Sequence, residues 1–338
     1  MKRIPSLAAL VLPVVAAFAM PAPASVAAAA APATTTWQLA SGYSEEAFQT
    51  VNLRLFARDV EAATHGRLHV EVHANNTLAK LGDIPAKVES GEIPAGETIL
   101  TNLAAQIPVA GADAVPFIVN SYDDAQRLWK AQRPVLDAEL AKKGLVDLYA
   151  VAWPPQGLYS TKPIKGAADL KGSRMRTYNA TTQRIAEQLG AKPVDVMMTD
   201  LNKAITSGRI DSMITSGTTG IDSKAWEQMK YFYDIRAWYP KNIVLVNRAA
   251  FDALDPPTRD AVRAAAATAE ARGWQMSQAA ESASLKELAS HGMHLDPVEF
   301  SFRTELREYG ERFSLEWLRA TGKEASAILI PYYVAASR

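Results

Sequence analysis

Residues 194–216 read VDVMMTDLNKAITSGRIDSMITS, and an earlier stretch follows the same plan. There, VEVHAN (70–75) leads through a short helical segment to SGEIPAGETIL (90–100). In each copy a strand pattern precedes a helix that ends in Ser-Gly, and a second strand begins two residues later. A helix ending in glycine, at Gly66 or Gly190, comes before each copy. Strand and helix alternate through both units, which argues for parallel sheets covered by helices. Two copies at matched positions predict two similar α/β lobes.

The rest of the chain fits around these units. TWQLASGY (36–43) alternates as a strand, and SEEAFQTVNLRLFARDVEAATHG (44–66) has the period of an amphipathic helix. A helix capped at Ser121 and the strand LVDLYAVAW (145–153) separate the copies. WPPQGLYSTKPI (153–164) reads as a crossing between lobes, its adjacent prolines fixing the backbone. Beyond the second copy, SKAWEQMKYFYDI (223–235) is expected as a helix and AWYPKNIVLVN (237–247) as a strand returning to the first lobe. An alanine-rich helical run, broken by the DPP at 255–257, reaches about residue 290. A further helix over 302–322 is expected to precede a short tail.

The first thirty residues, MKRIPSLAALVLPVVAAFAMPAPASVAAAA, place a basic pair before an uncharged apolar block and then small residues. That is the layout of a cleaved export signal, with the cut expected near residues 26–32. Pro13, Pro21 and Pro23 leave no clean apolar span of about 20 residues for an anchor. Removing Lys2 and Arg3 leaves 34 basic against 36 acidic residues, a net charge of −2. A nucleic-acid partner would require a basic surface and is not expected. With no cysteine, disulfides and thiolate chemistry are excluded. Roughly 305 remaining residues exceed one core and again call for two lobes.

The boundaries that follow are a signal peptide over 1–31, lobe I over 36–152 and lobe II over 153–240. Residues 241–290 return to lobe I and form a long helix spanning both lobes, and 291–338 supply C-terminal helices packing on them.

Little in the chain supports catalysis. His69, Glu71 and His73 share one face of a strand, but the outer two lie about 13 Å apart, too far for one metal ion. They read as a solvated face, and His291 and His294 read likewise. TSGTTG (215–220) is rich in hydroxyls but is not a nucleophile elbow, and no histidine lies between residues 74 and 290. Neither a phosphate loop nor a dinucleotide fingerprint is present. A secreted hydrolase or lyase built on that loop is the alternative, and it lacks a visible acid–base pair.

DLKGSRMRTYN (169–179) is different. Its strand puts Arg174 and Arg176 on one face, and arginine is the side chain that donates two parallel hydrogen bonds to a carboxylate. Other polar and aromatic groups gather where the chain crosses between lobes: Trp153, Gln156, Tyr178, Asn179, Thr215, Ser216, Trp238, Tyr239 and Asn242. Ligands of open α/β sheets bind at the carboxyl ends of strands and at domain interfaces. The set outlines a binding cleft without a catalytic group.

DLKGSRMRTYN, LGAKPVDV (189–196), SGRIDSMITS (207–216) and DAVPFIVNSYDDAQRLW (113–129) resemble the solute-binding proteins of tripartite ATP-independent periplasmic (TRAP) transporters, the DctP family. The resemblance covers essentially the whole mature chain. It implies a two-lobed periplasmic-binding-protein fold of α/β class, no enzymatic activity, and delivery of an organic acid to a membrane permease of small and large subunits. It further implies that Arg176 pairs with the ligand carboxylate while Arg174 stays a solvated neighbour. Sialic-acid-type members carry a second arginine where this chain has Gln156, and an asparagine near Thr215, which argues against a sugar acid. WPPQG, MITSGTTG and AWYPKN are similar to the branch binding 2-oxo acids and other monocarboxylates, aromatic ones included. Some members place a sodium ion beside the ligand. No residue here proves one, the metal stays open, and no other cofactor is expected. Closure of the cleft would bring Tyr43, Asn75 and Phe117 onto the acid.

Overall fold

The computed structural model describes Met1 and residues 34–336; the expected signal peptide lies outside these residues. The first lobe begins with β1 (Thr35–Ala40), α1 (Phe48–Ala63), β2 (Leu68–His73), α2 (Ile84–Ser90) and β3 (Ala95–Ile99). It continues with α3 (Tyr122–Lys142) and β4 (Leu145–Ala152). The chain then crosses into β5 (Gly157–Ser160), β6 (Arg174–Thr177), α4 (Ala180–Gln188), β7 (Lys192–Asp195), α5 (Leu201–Thr206), β8 (Ser212–Thr215), α6 (Gly217–Asp222) and β9 (Tyr231–Tyr233). It returns as β10 (Lys241–Asn247), followed by α7 (Arg248–Asp252), α8 (Pro256–Ser290), β11 (His294–Asp296), α9 (Phe300–Thr321) and α10 (Lys323–Ala336).

Two sheets result, in the orders β2-β1-β3-β10-β4 and β11-β9-β5-β8-β6-β7. The repeat read from the sequence is visible in them. β1 pairs in parallel with β2 and β3, and β10 lies antiparallel against β3. In the second sheet β6 pairs in parallel with β7 and β8, and β5 lies antiparallel against β8. The Ser-Gly ends of the two repeat helices serve one purpose. Gly91 and Gly208 have φ of 77° and 64°, a left-handed cap that a side chain would strain.

Some expectations need correction. The sheets are mixed rather than parallel, because each lobe receives one strand from the other side of the crossing and that strand runs backwards. Strand β3 stops at Ile99, and Leu100–Leu103 turns as a 3-10 helix. Residues 223–235 are not a helix but a short 3-10 turn followed by β9. Lys224 sits at φ 50°, and the alternating Tyr231-Phe232-Tyr233 suits a pleated surface. The segment after residue 290 is not helical throughout, since β11 adds an edge strand too short to show a period. The expected tail is the helix α10.

The lobes are joined by two antiparallel crossings and by α8. Trp153 N donates to Pro240 O at 2.8 Å, Gln156 N to Trp238 O at 3.0 Å, and Ala237 N to Gln156 O at 2.9 Å. Helix α8 is capped by Asp255, whose carboxylate accepts the Thr258 N–H, and runs 35 residues, about 52 Å. It packs on α1 and β4 in the first lobe and on α6 and β11 in the second. Gly273 lets it approach β4, and the Trp274 indole donates to Ala150 O at 3.0 Å. Helix α9 buries Phe302, Leu306 and Phe313 with second-lobe residues, and α10 buries Ile328 and Tyr332 against the first lobe. No helix among the described residues is long and apolar enough to cross a membrane.

Candidate ligand-binding cleft

Between the two sheets lies a cavity of about 110 Å³. Its walls come from the carboxyl ends of parallel strands in both lobes, the position at which open α/β sheets place ligands. The first lobe supplies Tyr43, Leu81, Gly82, Ile99, Thr101 and Asn102; the crossings supply Trp153, Gln156 and Pro240. Arg176, Tyr178, Met197, Met198, Thr215, Ser216 and Thr219 come from the second lobe. The space is small against the ~300–1,000 Å³ of typical drug-sized pockets, and it suits a compact solute.

Among the described residues Arg176 is the one cation on this wall. Strand β6 carries it beside β8, and burial leaves it 4% exposed. Its Nε donates to Val196 O at 3.1 Å, and its guanidinium carbon lies 4.6 Å from the centre of the Tyr178 ring. Among the described residues no carboxylate stands within ion-pair distance. Burial depresses its pKa to about 10, while Tyr178 and the more distant Asp195 push the other way. It therefore stays charged at neutral pH with donors unspent. Arg174, two residues earlier, is half exposed and is held by Asp211, its Nη2 2.5 Å from Oδ1. One face of the strand thus holds a solvated arginine at one end and a buried one at the other.

Tyr178 is fixed from behind by the Trp238 indole N–H, and burial pushes its phenol up to about 12. On the opposite wall Trp153 packs against Tyr43, ring centres 5.2 Å apart, and against Phe48 at 5.7 Å. The Trp153 Nε1 donates to Asn242 Oδ1 at 2.8 Å. Gln156, which also lines the cavity, donates its amide N–H to Pro154 O at 3.0 Å. Ser216 caps α6: its Oγ accepts the Thr219 N–H at 3.2 Å and bonds the hydroxyls of Thr218 and Thr219, so its partners are cap groups and not an imidazole.

Of the residues read from the sequence, Arg176, Gln156, Trp153, Tyr178, Thr215, Ser216 and Tyr43 reach the cavity. Six do not, among them Tyr239, whose hydroxyl accepts from Arg236 at 2.9 Å. Asn179 is spent as the cap of α4, its Oδ1 accepting the Thr182 N–H at 2.9 Å. Asn75 sits in a left-handed turn at φ 56° whose N–H donates to Tyr43 O. Phe117 points away, its β-carbon against Gly310 of α9. Trp238 is buried behind Tyr178, and Asn242 lies behind Trp153 and Tyr43.

The sequence reading missed Leu81, Ile99, Thr101, Asn102 and the pair Met197–Met198. The methionines were read as part of a strand that in fact ends at Asp195. An apolar pair followed by Thr-Asp was the available signal. It also missed Glu97, a carboxylate only 3% exposed in the middle of the first sheet. Its oxygens accept from Asn242 Nδ2 at 3.1 Å and Ser41 Oγ at 2.8 Å, and burial raises its pKa to about 7. His69 and Glu71 lie in solvent, and no group of three His, Cys, Asp or Glu among the described residues is placed to hold a metal ion.

Two α/β lobes joined by paired crossings, with a small, largely apolar cavity holding one buried arginine between them, define a bilobal solute-binding protein. The chain belongs to DctP, the bacterial extracellular solute-binding protein family 7, which it matches over residues 39–316. It is thereby a solute-binding protein of the TRAP type. It is similar to DctP6 of Bordetella pertussis, an extracytoplasmic solute receptor binding pyroglutamic acid. The two are 40% identical with a TM-score of 0.86 over 88% of this chain and 99% of that one. A marine metagenome TRAP solute-binding protein, specific for pyroglutamate and solved with it, is 32% identical, with a TM-score of 0.85 over 89% and 99% of the two chains. A solute-binding protein of Albidiferax ferrireducens is 26% identical over 215 residues, 62% of this chain and 63% of its own length. These relatives are receptors rather than enzymes.

Proposed function

We propose that the protein captures a compact monocarboxylate, with pyroglutamate as the first candidate, and hands it to a TRAP permease of small and large membrane subunits from the periplasm. The unpaired, buried Arg176 guanidinium in the cleft carries this reading. A cation held out of water without a counter-charge is costly, and a ligand carboxylate would satisfy it with two parallel hydrogen bonds. The pyroglutamate ligands of the relatives at 40% and 32% identity support the choice of acid. The apolar wall of Leu81, Ile99 and Met198 suits a small ring.

In this reading Arg176 clamps the carboxylate, Gln156 and Thr215 meet its polar edge, and the Trp153 side of the cleft covers its ring. Because the ligand touches both lobes, binding favours the closed arrangement, and bending at the two crossings is the motion involved. The reading calls on no catalytic group, and a sodium ion beside the ligand stays open.

Calorimetry of the mature protein against pyroglutamate, pyruvate, benzoate, succinate, glucuronate and glucose, each with and without sodium, tests the reading. Saturable binding of the monocarboxylates, pyroglutamate tightest, is expected. Binding of glucose with no response to any acid would overturn it. A sodium requirement would add a cation to the site.

A further inference from the structure

The first-lobe wall carries a hydrogen-bond chain whose direction is set by the chemistry of its members. An indole N–H can only donate, so the Trp153 contact fixes the oxygen of the Asn242 amide on the cleft side. The amide nitrogen must then face Glu97, to which it donates at 3.1 Å. The Tyr43 hydroxyl lies 3.2 Å from the same Asn242 oxygen, which has no proton to give, so the phenol is the donor. Burial and the neighbouring Glu97 charge push the Tyr43 phenol far above its ordinary value, and it keeps its proton. That proton is committed to Asn242. With its proton so directed, Tyr43, a residue that lines the cavity, has its hydroxyl oxygen left to accept.

The proposed carboxylate clamp therefore faces a wall of definite polarity. Resting on that reading, we propose that Tyr43 determines specificity: its oxygen selects acids that carry an N–H donor beside the ring or chain, and disfavours acids that present only acceptors there. A five-membered lactam carboxylate supplies such a donor. Its lactone counterpart has the same ring, carbonyl and carboxylate but puts an oxygen where the N–H was, setting acceptor against acceptor. The polarity originates at Glu97, because its carboxylate accepts from Asn242 and so keeps the amide from turning over.

Calorimetry of the wild-type protein with 5-oxopyrrolidine-2-carboxylate and with 5-oxotetrahydrofuran-2-carboxylate tests this without any variant. The lactam is expected to bind at least about tenfold more tightly. In Tyr43→Phe, which keeps the ring and removes only the hydroxyl, lactam affinity should fall and lactone affinity hold or improve, bringing the ratio near one. Equal affinities in the wild type would overturn the inference and leave the clamp standing. A lactam preference that survives Tyr43→Phe would overturn it too, since another group would then read the N–H. If neither acid binds, the carboxylate reading beneath it falls, and this inference falls with it.

Discussion

The Arg176 guanidinium lies over the face of Tyr178, 4.6 Å from the ring centre, and among the described residues no carboxylate pairs with it directly. A ring is a weak substitute for a carboxylate. The depression of Arg176 to about 10 corresponds to a cost of roughly 3 kcal/mol in the empty protein. Arg176→Met should therefore leave the ligand-free protein as stable as the wild type or more so, while removing acid binding by well over 1.5 kcal/mol. Thermal melts with and without pyroglutamate check both halves. A variant that melts lower when empty and still responds to the acid would contradict the assignment.

Glu97 gives a pH signature. Its pKa is raised by burial to about 7, from an ordinary value near 4.5, so between these values the folded protein binds a proton that the unfolded chain releases. Stability then falls as pH rises from about 4.5 to 7, and above 7 the full penalty, about 3 kcal/mol, is present. The titratable groups facing it are Tyr43 and Tyr149, both neutral throughout this range. Asp222 and Asp147 are also raised by burial and tilt the curve the same way, so the informative quantity is the difference from a variant. Glu97→Gln should flatten that part of the profile and be the more stable protein at pH 8. Parallel urea-unfolding curves across pH 5–8 would refute this.

The two-lobe plan was legible because it rests on local signals. Gly91 and Gly208 must be glycines where their helices cap in left-handed geometry, and Ser-Gly at matched positions exposes the repeat. The strand period put Arg174 and Arg176 on one face, and it was the family resemblance that singled out Arg176. Strand direction in the sheets was not legible, since the pattern of β10 or β5 is the same whichever way it runs. Depth was equally hidden. Asn242 and Trp153 look alike as polar-capable residues near a crossing, yet one lines the cavity and the other stands behind it, a difference made by packing between segments 89 residues apart. Residues such as Ile99 and Met198 could not be told from core, because an apolar cleft wall and an apolar core share one composition.

The crossing hides a second charge. Lys241 opens β10 with its ammonium 3.5 Å from Asp113, both side chains fully buried, and the Trp129 ring centre 5.8 Å away. Asp113 also accepts the Lys241 backbone N–H at 2.6 Å. Asp113→Asn keeps an acceptor for that N–H but isolates the ammonium, and should cost about 3–5 kcal/mol. Adding Lys241→Met removes the stranded charge and should recover most of the loss. Urea unfolding of the single and double variants measures it; an unaffected single variant would mean the pair contributes nothing.

Helix α8 offers the last test, because it reverses an ordinary rule. Gly→Ala inside an exposed helix stabilises by about 1 kcal/mol. At Gly273 an added β-carbon would stand 2.4 Å from the Val151 side chain on β4 and 2.8 Å from Asn52 Nδ2 on α1. Asn52 cannot move aside without loss: its nitrogen donates to Ala269 O at 2.9 Å and its oxygen accepts from Arg272 Nε at 2.8 Å. Overpacking of this kind costs about 1–3 kcal/mol, and the loss of these bonds adds to it, so packing outweighs propensity. Gly273→Ala should lower the melting temperature by several degrees. A melting temperature that rises instead would mean α8 is free to lift from the first lobe at this point.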